Sequence, residues 1–554
     1  MTTAELEQPL ATDGALSTRL ARLARVAPVF VGLAVVANAW AGLMPGVGFW
    51  DTGEFQTVLP IMGTAHPTGY PTYVLVGFIA NLLLTPLGEP AFRITVLSLV
   101  AVAVAAAATV VLVRRLTGST ILGVAAGAGL ALTPVVWANA TRADPHPIHL
   151  AFVAVLLLLL VTWGERQRAA DPRAGRWLVA SAVTFGLSMG NHSLTLLLAV
   201  PVGLYVLATD PRIVLRGRLV LTCALALVGT VVLVYLELPI RAGVLRAPLV
   251  YAHPETWSGF WYIALAEQFR GSLVDPLGHI GDKLGAVADL AGAQFGLLAL
   301  AIVPAFLAAV RMVPRYALLT GSAMVITLVF NTSYANADIE RYYLGPVLWA
   351  WTWLAILAAF VARQVAILLD PVGVEPGREP DLALVRPGAG PGGCTSLPAL
   401  APAGLVALVA AALLLAPVVA AQGESRTAAD RRSDTYARTW LDQTLAAVAP
   451  DAVVVSWWTT STPLWYGQDV LGKRPDIFIV DDRTMLDQNL GEASDVIDRF
   501  LGTRPVYVIR ANDHDLGLVL ARFDIQPVMN QSGVPIGDGN LGLTLYQVMG
   551  RTTG

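Results

Sequence analysis

Two carboxylates near the start of the chain have the spacing of a reactive pair. Asp51 and Glu54 lie three residues apart, and Gly53 between them provides a turn at which a helix can open. In a helix that spacing places both side chains on one face, where they can line a single cavity. The structural alternative stays open: Asp51 or Thr52 caps the first turn of that helix and does no chemistry.

Three arginines lie in hydrophilic segments where basic residues are otherwise scarce. Arg241 and Arg270 belong to one long loop, and Arg341 follows a later apolar run. A guanidinium retained close to a membrane boundary can hold an anion through charge-assisted hydrogen bonds. The alternative for the first two is a surface salt bridge with Glu255 or Glu267.

Other polar side chains occur in the turns between apolar segments. Those that could line a site with the carboxylates are His66, Tyr70, Asp144, Asn191, His192, Asp338 and Tyr342. At a helix junction, His192 is also compatible with a satisfied polar contact. Tyrosines at a membrane boundary are usually interfacial anchors, and this is the favoured interpretation for at least one of Tyr342 and Tyr343.

A metal centre is the less favoured interpretation of these polar residues. Asp144, His146 and His149 are of types that bind divalent cations, but two prolines intervene and no further acidic or Cys partner is obvious nearby. Cys223 lies in an apolar run and Cys394 in a Gly/Pro-rich loop, which disfavours a disulfide or a thiolate metal site. The sequence therefore predicts no certain cofactor and no metal ligands.

The composition requires that these residues sit in a polytopic membrane protein. Of 554 residues, 55% are hydrophobic and only 14% are charged. A soluble domain usually has about 25% charged residues, so this chain has too few to cover a water-facing surface of its size. The net charge of −3 offers no basic face to nucleic acid, which excludes that class of partner.

Apolar runs of the length needed to cross a bilayer recur through the first three quarters of the chain. We predict eleven transmembrane helices near residues 27–45, 94–113, 120–138, 148–163, 177–190, 193–208, 219–238, 291–310, 316–331, 344–362 and 402–420. The stretch 72–87 contains Asn81 and Pro86 and is flanked by prolines, so we interpret it as a re-entrant or interfacial helix.

Arginine placement predicts the orientation, because cytoplasmic loops hold an excess of basic residues. The basic segments fall at alternate turns of the predicted topology: Arg19, Arg22, Arg25, Arg114, Arg115, Arg166, Arg168, Arg173, Arg176, Arg212, Arg216, Arg218, Arg311 and Arg315. The amino terminus is therefore expected to be cytoplasmic. We expect a bacterial inner or plasma membrane, with the carboxyl-terminal part on the extracytoplasmic side.

The predicted organisation has three parts. Residues 1–26 form a cytoplasmic amino terminus, and residues 27–420 form the membrane domain. That domain includes a first outer loop, a long outer loop and a Pro/Gly-rich cytoplasmic linker, at residues 46–93, 239–290 and 363–401 respectively. Residues 421–554 alternate short apolar runs with helix-like stretches, which indicates a small soluble α/β domain with a largely parallel sheet.

Several motifs resemble those of a known family. The segments Asp51-Thr52-Gly53-Glu54 and His66-Pro67-Thr68-Gly69-Tyr70-Pro71 resemble the first-loop signature of proteins similar to protein O-mannosyltransferases, within the GT-C glycosyltransferases. Gly190-Asn191-His192, Leu238-Pro239-Ile240-Arg241 and Tyr342-Tyr343 follow in the order of that family. One departure is Asp144-Pro145-His146, where relatives often have Glu followed by Val-Tyr, so the resemblance assigns no role to Asp144.

The resemblance implies transfer of mannose or another hexose from a polyprenyl-phosphate donor to an acceptor hydroxyl on the extracytoplasmic face, with inversion. Asp51 is then the general base, and Glu54 orients it or the acceptor, or shares a proton with it. Arg241, Arg270 and Arg341 supply positive charge to the phosphate leaving group, with His192 and Tyr342 as neutral donors. The implied partners are the lipid-linked sugar, an acceptor protein or glycan, and membrane lipids.

Two alternatives to protein O-mannosylation remain. A polytopic transporter of an anionic lipid or glycan would also need arginines, but transporters usually place polar sites at mid-membrane, whereas here the charges lie at span boundaries. The second alternative is a glycosyltransferase of the same fold whose acceptor is a lipid or a cell-wall glycan. The sequence does not distinguish these acceptors from a protein.

Overall fold

The computed structural model describes residues 13–276, 278–369, 385–386, 399–400, 402–510, 512–529, 534–536 and 539–552. Most of the predicted linker 363–401, including Cys394, lies outside the described residues. The predicted start of that linker is wrong, since residues 363–369 continue a helix. No proline or glycine interrupts the chain until Pro371, so nothing in the sequence stops the helix at 362.

Helices make up most of the described chain. In the membrane domain they are α1 Asp13–Ala39, α2 Trp50–Ile61, α3 Pro71–Leu83, α4 Pro90–Thr117, α5 Thr120–Leu132, α6 Pro134–Ala140, α7 His146–Arg168, α8 Gly175–Asn191, α9 Ala199–Thr209, α10 Gly217–Tyr235, α11 Glu237–Pro239, α12 Trp257–Ala264, α13 Ile280–Phe295, α14 Ile302–Met312, α15 Pro314–Asn331, α16 Leu344–Leu369 and α17 Pro402–Ala420. In the carboxyl-terminal part they are α18 Gln422–Ala429, α19 Tyr436–Ala447, α20 Trp458–Trp465, α21 Asp482–Asp487, α22 Ala493–Phe500 and α23 Asp513–Leu520.

Seven described segments are long and apolar enough to cross a membrane, or eight if the bent pair α5 and α6 counts as one span. They are Arg22–Gly42, Pro90–Thr117, His146–Arg168, Gly217–Val244, Ile280–Met312, Ile339–Leu369 and Ala403–Ala420. The predicted spans 177–190, 193–208 and 316–331 are also helical, but they are shorter or less apolar. A polytopic membrane protein is thus confirmed, while the total of eleven spans stays a prediction.

The predicted span 120–138 is not one continuous helix. It consists of α5 and α6, whose axes meet at 65°. Pro134 is the cause, because its ring excludes the helical conformation from the preceding residue and its nitrogen cannot donate a backbone hydrogen bond. Thr133 accordingly adopts an extended conformation, with a ψ angle of 134°.

Close approach of α4 and α5 depends on two glycines. A β-carbon at Gly123 would lie 2.6 Å from the carbonyl oxygen of Val110, and one at Gly127 would lie 2.6 Å from that of Ala106. Lipid offers little hydrophobic gain for helix association, so backbone approach through small residues supplies packing contacts instead. α4 in turn packs against α7, whose first turn lies at the candidate site.

The predicted first outer loop 46–93 is a folded part of the domain. It contains α2 and α3, and α4 begins within it at Pro90. Gln56 holds the loop together: its amide nitrogen donates to the carbonyl oxygens of Gly46 and Ala91, and its amide oxygen accepts from the backbone N–H of Gly48. This fixes the start of α2, where Asp51 and Glu54 lie.

The carboxyl-terminal part contains the predicted α/β arrangement. Two short strands, β1 Val385–Arg386 and β2 Ala399–Leu400, precede it and pair with each other. The strands of the carboxyl-terminal part are β3 Val453–Val455, β4 Phe478–Val480, β5 Val506–Val508, β6 Phe523–Met529, β7 Val534–Ile536, β8 Gly539–Leu541 and β9 Leu545–Arg551. Five of them form one sheet in the order β4-β3-β5-β9-β6. β3 pairs in parallel with β4 and β5, but β9 is antiparallel to both β5 and β6, so the sheet is mixed.

The parallel strands determine where this sheet presents its loops. Because β3, β4 and β5 run in the same direction, their carboxyl ends share one edge, which is where ligand-binding loops of such sheets usually lie. The segments that follow them are residues 456–458, 481–483 and 509–510. Two of these three segments contact the start of α2, as described below.

Candidate active site

The candidate site lies where several helix ends meet. Asp51 is in the first turn of α2, Asp144 precedes α7, His192 follows α8, and Arg341 precedes α16. α7 runs from this cluster to Arg168, a length of roughly 34 Å, so the cluster is at the opposite end of the bundle from that basic turn.

Asp51 and Thr52 do not cap α2. The N-cap residue is Phe49, and its side chain makes no capping hydrogen bond. The Oδ2 atom of Asp51 instead accepts a hydrogen bond of 2.6 Å from Nη2 of Arg341. The carboxylate thus faces a cationic partner on another element, and the structural alternative of a helix cap is wrong.

Arg341 links two carboxylates. In addition to Asp51, its Nη1 donates to Oδ2 of Asp144 at 3.1 Å. Its Nε lies 3.8 Å from Oδ2 of Asp338, and that same oxygen accepts a 2.6 Å hydrogen bond from Arg142. The side chain of Arg341 is 11% exposed and that of Asp144 is 1% exposed, so these charges compensate each other away from bulk water.

The environment keeps Asp144 ionised. Burial alone would raise the pKa of Asp144, but the adjacent His146 and Arg341, with a smaller effect of Arg142, hold that pKa well below its usual range. Oδ1 of Asp144 lies 2.7 Å from Nδ1 of His146 and accepts its backbone N–H at 2.8 Å. Asp144 therefore acts as a fixed anion that orients Arg341 and His146.

Glu54 differs from Asp51 in its burial and in its hydrogen-bond partners. Its side chain is fully buried, and Oε2 lies 2.5 Å from Nδ1 of His66. Oε1 accepts hydrogen bonds from the backbone N–H of His66 at 2.9 Å and from Nη1 of Arg483 at 3.0 Å. Burial would raise the pKa of Glu54, but His66 and Arg483 lower it to about 2. This carboxylate is held by three donors, whereas the side chain of Asp51 is 20% exposed.

The Glu54–His66 pair predicts a pH dependence of stability. Burial lowers the pKa of His66, but Glu54 raises it more, so the folded-state pKa lies above 6.5. Stability from this group is fully present below pH 6.5 and is lost as the pH rises through the folded-state value. We expect the thermal unfolding midpoint in detergent to fall as the pH rises from 6.5 through the folded-state pKa of His66. The variant His66→Gln is expected to lose this decrease of the midpoint with pH. An unchanged slope in the variant would contradict the assignment.

Arg483 comes from the carboxyl-terminal part of the chain, where it lies in the first turn of α21. It follows β4 by three residues and reaches Glu54 across the boundary between the two parts of the chain. Its guanidinium also lies 3.4 Å from the ring centroid of Tyr251, a cation–π contact. The carboxyl-terminal part therefore completes the environment of a carboxylate in α2.

The close packing of α2 against α20 requires a glycine at position 53. A β-carbon at Gly53 would lie 2.2 Å from the carbonyl oxygen of Gly48 and 2.7 Å from Oγ1 of Thr462 in α20. We expect Gly53→Ala to destabilise the protein by about 1–3 kcal/mol through overpacking, measured as a lower thermal unfolding midpoint. Gly203→Ala is the matched control, since a β-carbon at that helical position meets nothing within 4 Å. Equal midpoints for the two variants would show that α20 does not pack on Gly53.

Histidine and tyrosine rings form a second layer beside the charges. The ring of His146 lies 4.5 Å from that of His192 and 4.9 Å from that of Tyr342, and Tyr70 lies 5.7 Å from His192. Within the described residues, the Nε2 atoms of His146 and His192 are buried without a hydrogen-bond partner. Burial lowers the pKa of His192 well below its usual value, so it is neutral at physiological pH.

Asn191 occupies the same end of the bundle. Its amide nitrogen donates to the carbonyl oxygen of Pro145 at 3.1 Å. Its Oδ1 atom is buried and has no hydrogen-bond partner among the described residues. Predicted lining residues His66, Tyr70, Asn191, His192, Asp144, Asp338 and Tyr342 are therefore brought together, although their roles stay predictions.

Arg241 and Arg270 lie elsewhere. Arg241 donates to the carbonyl oxygens of Ile61 and Met62, at 2.6 and 2.7 Å, and so satisfies the carboxyl end of α2. Asp51 is at the other end of this 12-residue helix, roughly 16 Å away. Arg270 is 61% exposed and pairs with Glu267 at 3.2 Å. This is the surface salt bridge that the sequence left open as an alternative to anion binding. Of the three predicted arginines, only Arg341 contacts Asp51.

A divalent cation would have to displace existing partners at the carboxylates. Asp51, Glu54 and His66 offer ligand atoms that lie within 4.8 Å of one another. Glu54 is already bound to His66 and Arg483, and Asp51 is bound to Arg341. The other candidate set is also engaged internally, since Nδ1 of His146 is directed at Asp144. No step proposed below uses a metal.

Comparison with solved structures defines the class of the fold. The chain is similar to ArnT from Cupriavidus metallidurans bound to undecaprenyl phosphate, with a TM-score of 0.57 and 15% identity over 94% of this chain and 97% of that one. It is also similar to the archaeal oligosaccharyltransferase AglB from Archaeoglobus fulgidus, in complex with an inhibitory peptide and a dolichol-phosphate. That match has a TM-score of 0.51 and 14% identity over 88% of this chain and 69% of that one. The protein has the fold of the GT-C membrane glycosyltransferases.

Sequence comparison finds similarity to one family of transferases. Residues 51–213 match the model of the protein O-mannosyl-transferase TMEM260 N-terminal domain. The mouse protein O-mannosyl-transferase TMEM260 is 29% identical over 278 residues, which is 50% of this chain and 37% of that protein. The Dictyostelium discoideum relative is 22% identical over 176 residues, or 30% of this chain and 22% of that protein. The matches thus span well under half of these relatives, and they confirm the predicted resemblance.

Sequence reasoning did not find the contribution of the carboxyl-terminal part. Three side chains from that part reach the site: Trp457 and Trp458 at the start of α20, and Arg483 in the first turn of α21. Each follows a short apolar run that was predicted as a strand. That position, at the carboxyl end of a parallel strand, is the signal that could have identified them.

Proposed function

We propose that the protein transfers a hexose, with mannose as the first candidate, from a polyprenyl-phosphate donor to a serine or threonine hydroxyl of a protein on the extracytoplasmic face. The observation that carries this proposal is the buried Arg341 held between Asp51 and Asp144, beside the separately neutralised Glu54. It combines a carboxylate that can accept a proton with a guanidinium that can hold a phosphate.

The difference between the two carboxylates assigns their roles. Glu54 is buried and already accepts from His66 and Arg483, so it orients the first turn of α2 and its neighbours. Asp51 is partly exposed and, among the residues that the structure describes, pairs with Arg341 alone, so it can meet an incoming hydroxyl and take its proton as the oxygen attacks the anomeric carbon. Attack opposite the phosphate inverts the anomeric centre.

Arg341 serves the leaving group. A phosphate ester departs with its charge already formed, so it requires positive charge more than a proton. Binding of the donor phosphate to Arg341 competes with the ion pair to Asp51, and it frees that carboxylate to meet the acceptor hydroxyl. Asp144 keeps Arg341 in place during this exchange, since it holds the other nitrogen of the guanidinium. Neutral His192 and Tyr342 line the same region.

The proposed side of the membrane follows from the basic turns. The cluster and Arg168 lie at opposite ends of α7, and arginine-rich turns are usually cytoplasmic. The carboxyl-terminal sheet, which contacts the cluster through Arg483, is then extracytoplasmic as well.

Transfer by the purified protein in nanodiscs tests the proposal. Labelled undecaprenyl-phosphate mannose is supplied with a Ser/Thr-rich peptide, and the expected result is label on the peptide. Label on an added lipid or glycan alone would assign the acceptor to those classes. In sealed vesicles, label that only changes compartment would identify a transporter and overturn the proposal.

A further inference from the structure

Three indole rings meet beside the carboxylates. Trp50 in α2 lies 5.6 Å from Trp457 and 6.0 Å from Trp458 between ring centroids, with the planes nearly perpendicular. We call these three residues the tryptophan wall. The ring of His66, which binds Glu54, lies 5.9 Å from that of Trp458. The wall therefore adjoins the reactive end of α2.

Both parts of the chain build the wall. Trp50 begins α2 with a φ of 58°, a left-handed conformation that is strained for a non-glycine residue. Trp457 and Trp458 follow β3, and the backbone N–H of Trp458 donates to Oδ1 of Asp482 at 3.0 Å. The segments that follow β3 and β4 thus hold the rings of Trp457 and Trp458 against the ring of Trp50.

Two donors in the wall have no protein partner. Within the described part of the chain, the indole N–H groups of Trp50 and Trp458 are buried and make no hydrogen bond. A buried donor without a partner destabilises the folded state, so such groups usually serve a ligand or water. Apolar ring faces combined with a few directed donors are typical of a small-molecule site.

A hexose has the chemistry that this wall would recognise. One face of a hexose ring presents C–H groups that pack on aromatic rings, and its hydroxyls accept hydrogen bonds from indole N–H groups. Because the wall lies next to Asp51, it is placed to bind the sugar that is transferred rather than a sugar further from the reaction. Trp50 is adjacent in sequence to Asp51, and the activated hydroxyl must attack the anomeric carbon within a few ångströms of that base.

We propose that the tryptophan wall is the subsite for the donor hexose, and that the carboxyl-terminal part supplies two of its three rings. This inference rests on the proposed function, because it takes the donor to be a sugar linked to a polyprenyl phosphate. It gives the outer sheet a direct role in sugar recognition.

Binding of lipids with and without a sugar separates recognition of the sugar from recognition of the phosphate. The affinities of the full chain in nanodiscs for undecaprenyl-phosphate mannose, undecaprenyl-phosphate glucose and sugar-free undecaprenyl phosphate are measured without an acceptor. We expect the wild type to prefer a sugar-bearing lipid, and Trp458→Ala to reduce that preference about 10- to 100-fold while affinity for the sugar-free lipid is unchanged. Trp458→Phe, which keeps a ring but loses the N–H, is expected to lie between.

The binding experiment has its own control variant, and the results that would contradict the subsite differ from those that would contradict transfer. Trp40→Ala, a 40% exposed tryptophan on α1's carboxyl-terminal side, is expected to keep the wild-type preference. No preference in the wild type, or an unchanged preference in both Trp458 variants, overturns the subsite. Equal weakening of all lipids by Trp458→Phe does so too. A wild type that prefers the sugar-bearing lipid but transfers nothing refutes the proposed function and leaves the subsite standing.

Discussion

Asp51→Asn is expected to lower kcat/KM for hexose transfer by about 10²- to 10⁴-fold, the usual contribution of a general base. The amide keeps the size of the side chain and can still accept a hydrogen bond from Arg341, but it cannot take the proton of the acceptor hydroxyl. Donor binding is expected to persist or to tighten, because the phosphate no longer competes with a carboxylate for Arg341. Initial rates and lipid-binding isotherms on the same preparation measure both effects.

The control for this variant is a carboxylate remote from the cluster. Asp282 is 90% exposed in α13, so Asp282→Asn removes the same charge without touching Arg341. It is expected to leave kcat/KM within about twofold of the wild type, because exposed ion pairs contribute little. If Asp51→Asn retained more than a tenth of wild-type kcat/KM, Asp51 would not be the base.

Arg341→Met is expected to abolish transfer and to destabilise the protein by about 3–5 kcal/mol. The substitution leaves Asp144 almost fully buried with a major cationic partner removed, and an uncompensated buried charge is strongly destabilising. Lower thermal unfolding midpoints in detergent, together with the loss of affinity for sugar-free undecaprenyl phosphate, measure the two consequences.

A second substitution separates stability from function. Adding Asp144→Asn to Arg341→Met removes the stranded charge, so the unfolding midpoint is expected to recover in part while lipid affinity stays lost. Arg341→Lys keeps the charge but not the fork that reaches both carboxylates, and it is expected to be intermediate. Recovery of lipid affinity in the double variant would remove Arg341 from the phosphate site.

The amino-acid sequence by itself determined the membrane class, the approximate helices and the segments that form the carboxyl-terminal sheet. These follow from apolar run lengths and local periodicity, which act over a few residues. It also pointed to Asp51 and Glu54 at the start of one helix. The break of 120–138 into two helices at Pro134 depends equally on local chemistry and could have been predicted.

Only the tertiary structure decided which charges meet. Arg341 is 290 residues from Asp51, and Arg483 is 429 residues from Glu54, so no local pattern relates them. Arg241 and Arg341 were alike in type and setting, yet one satisfies the carboxyl end of α2 and the other joins two carboxylates. The reason is physical: packing of helix ends and of the parallel-strand edge selects among equivalent charges, because a buried charge is tolerated only where a partner lies within reach.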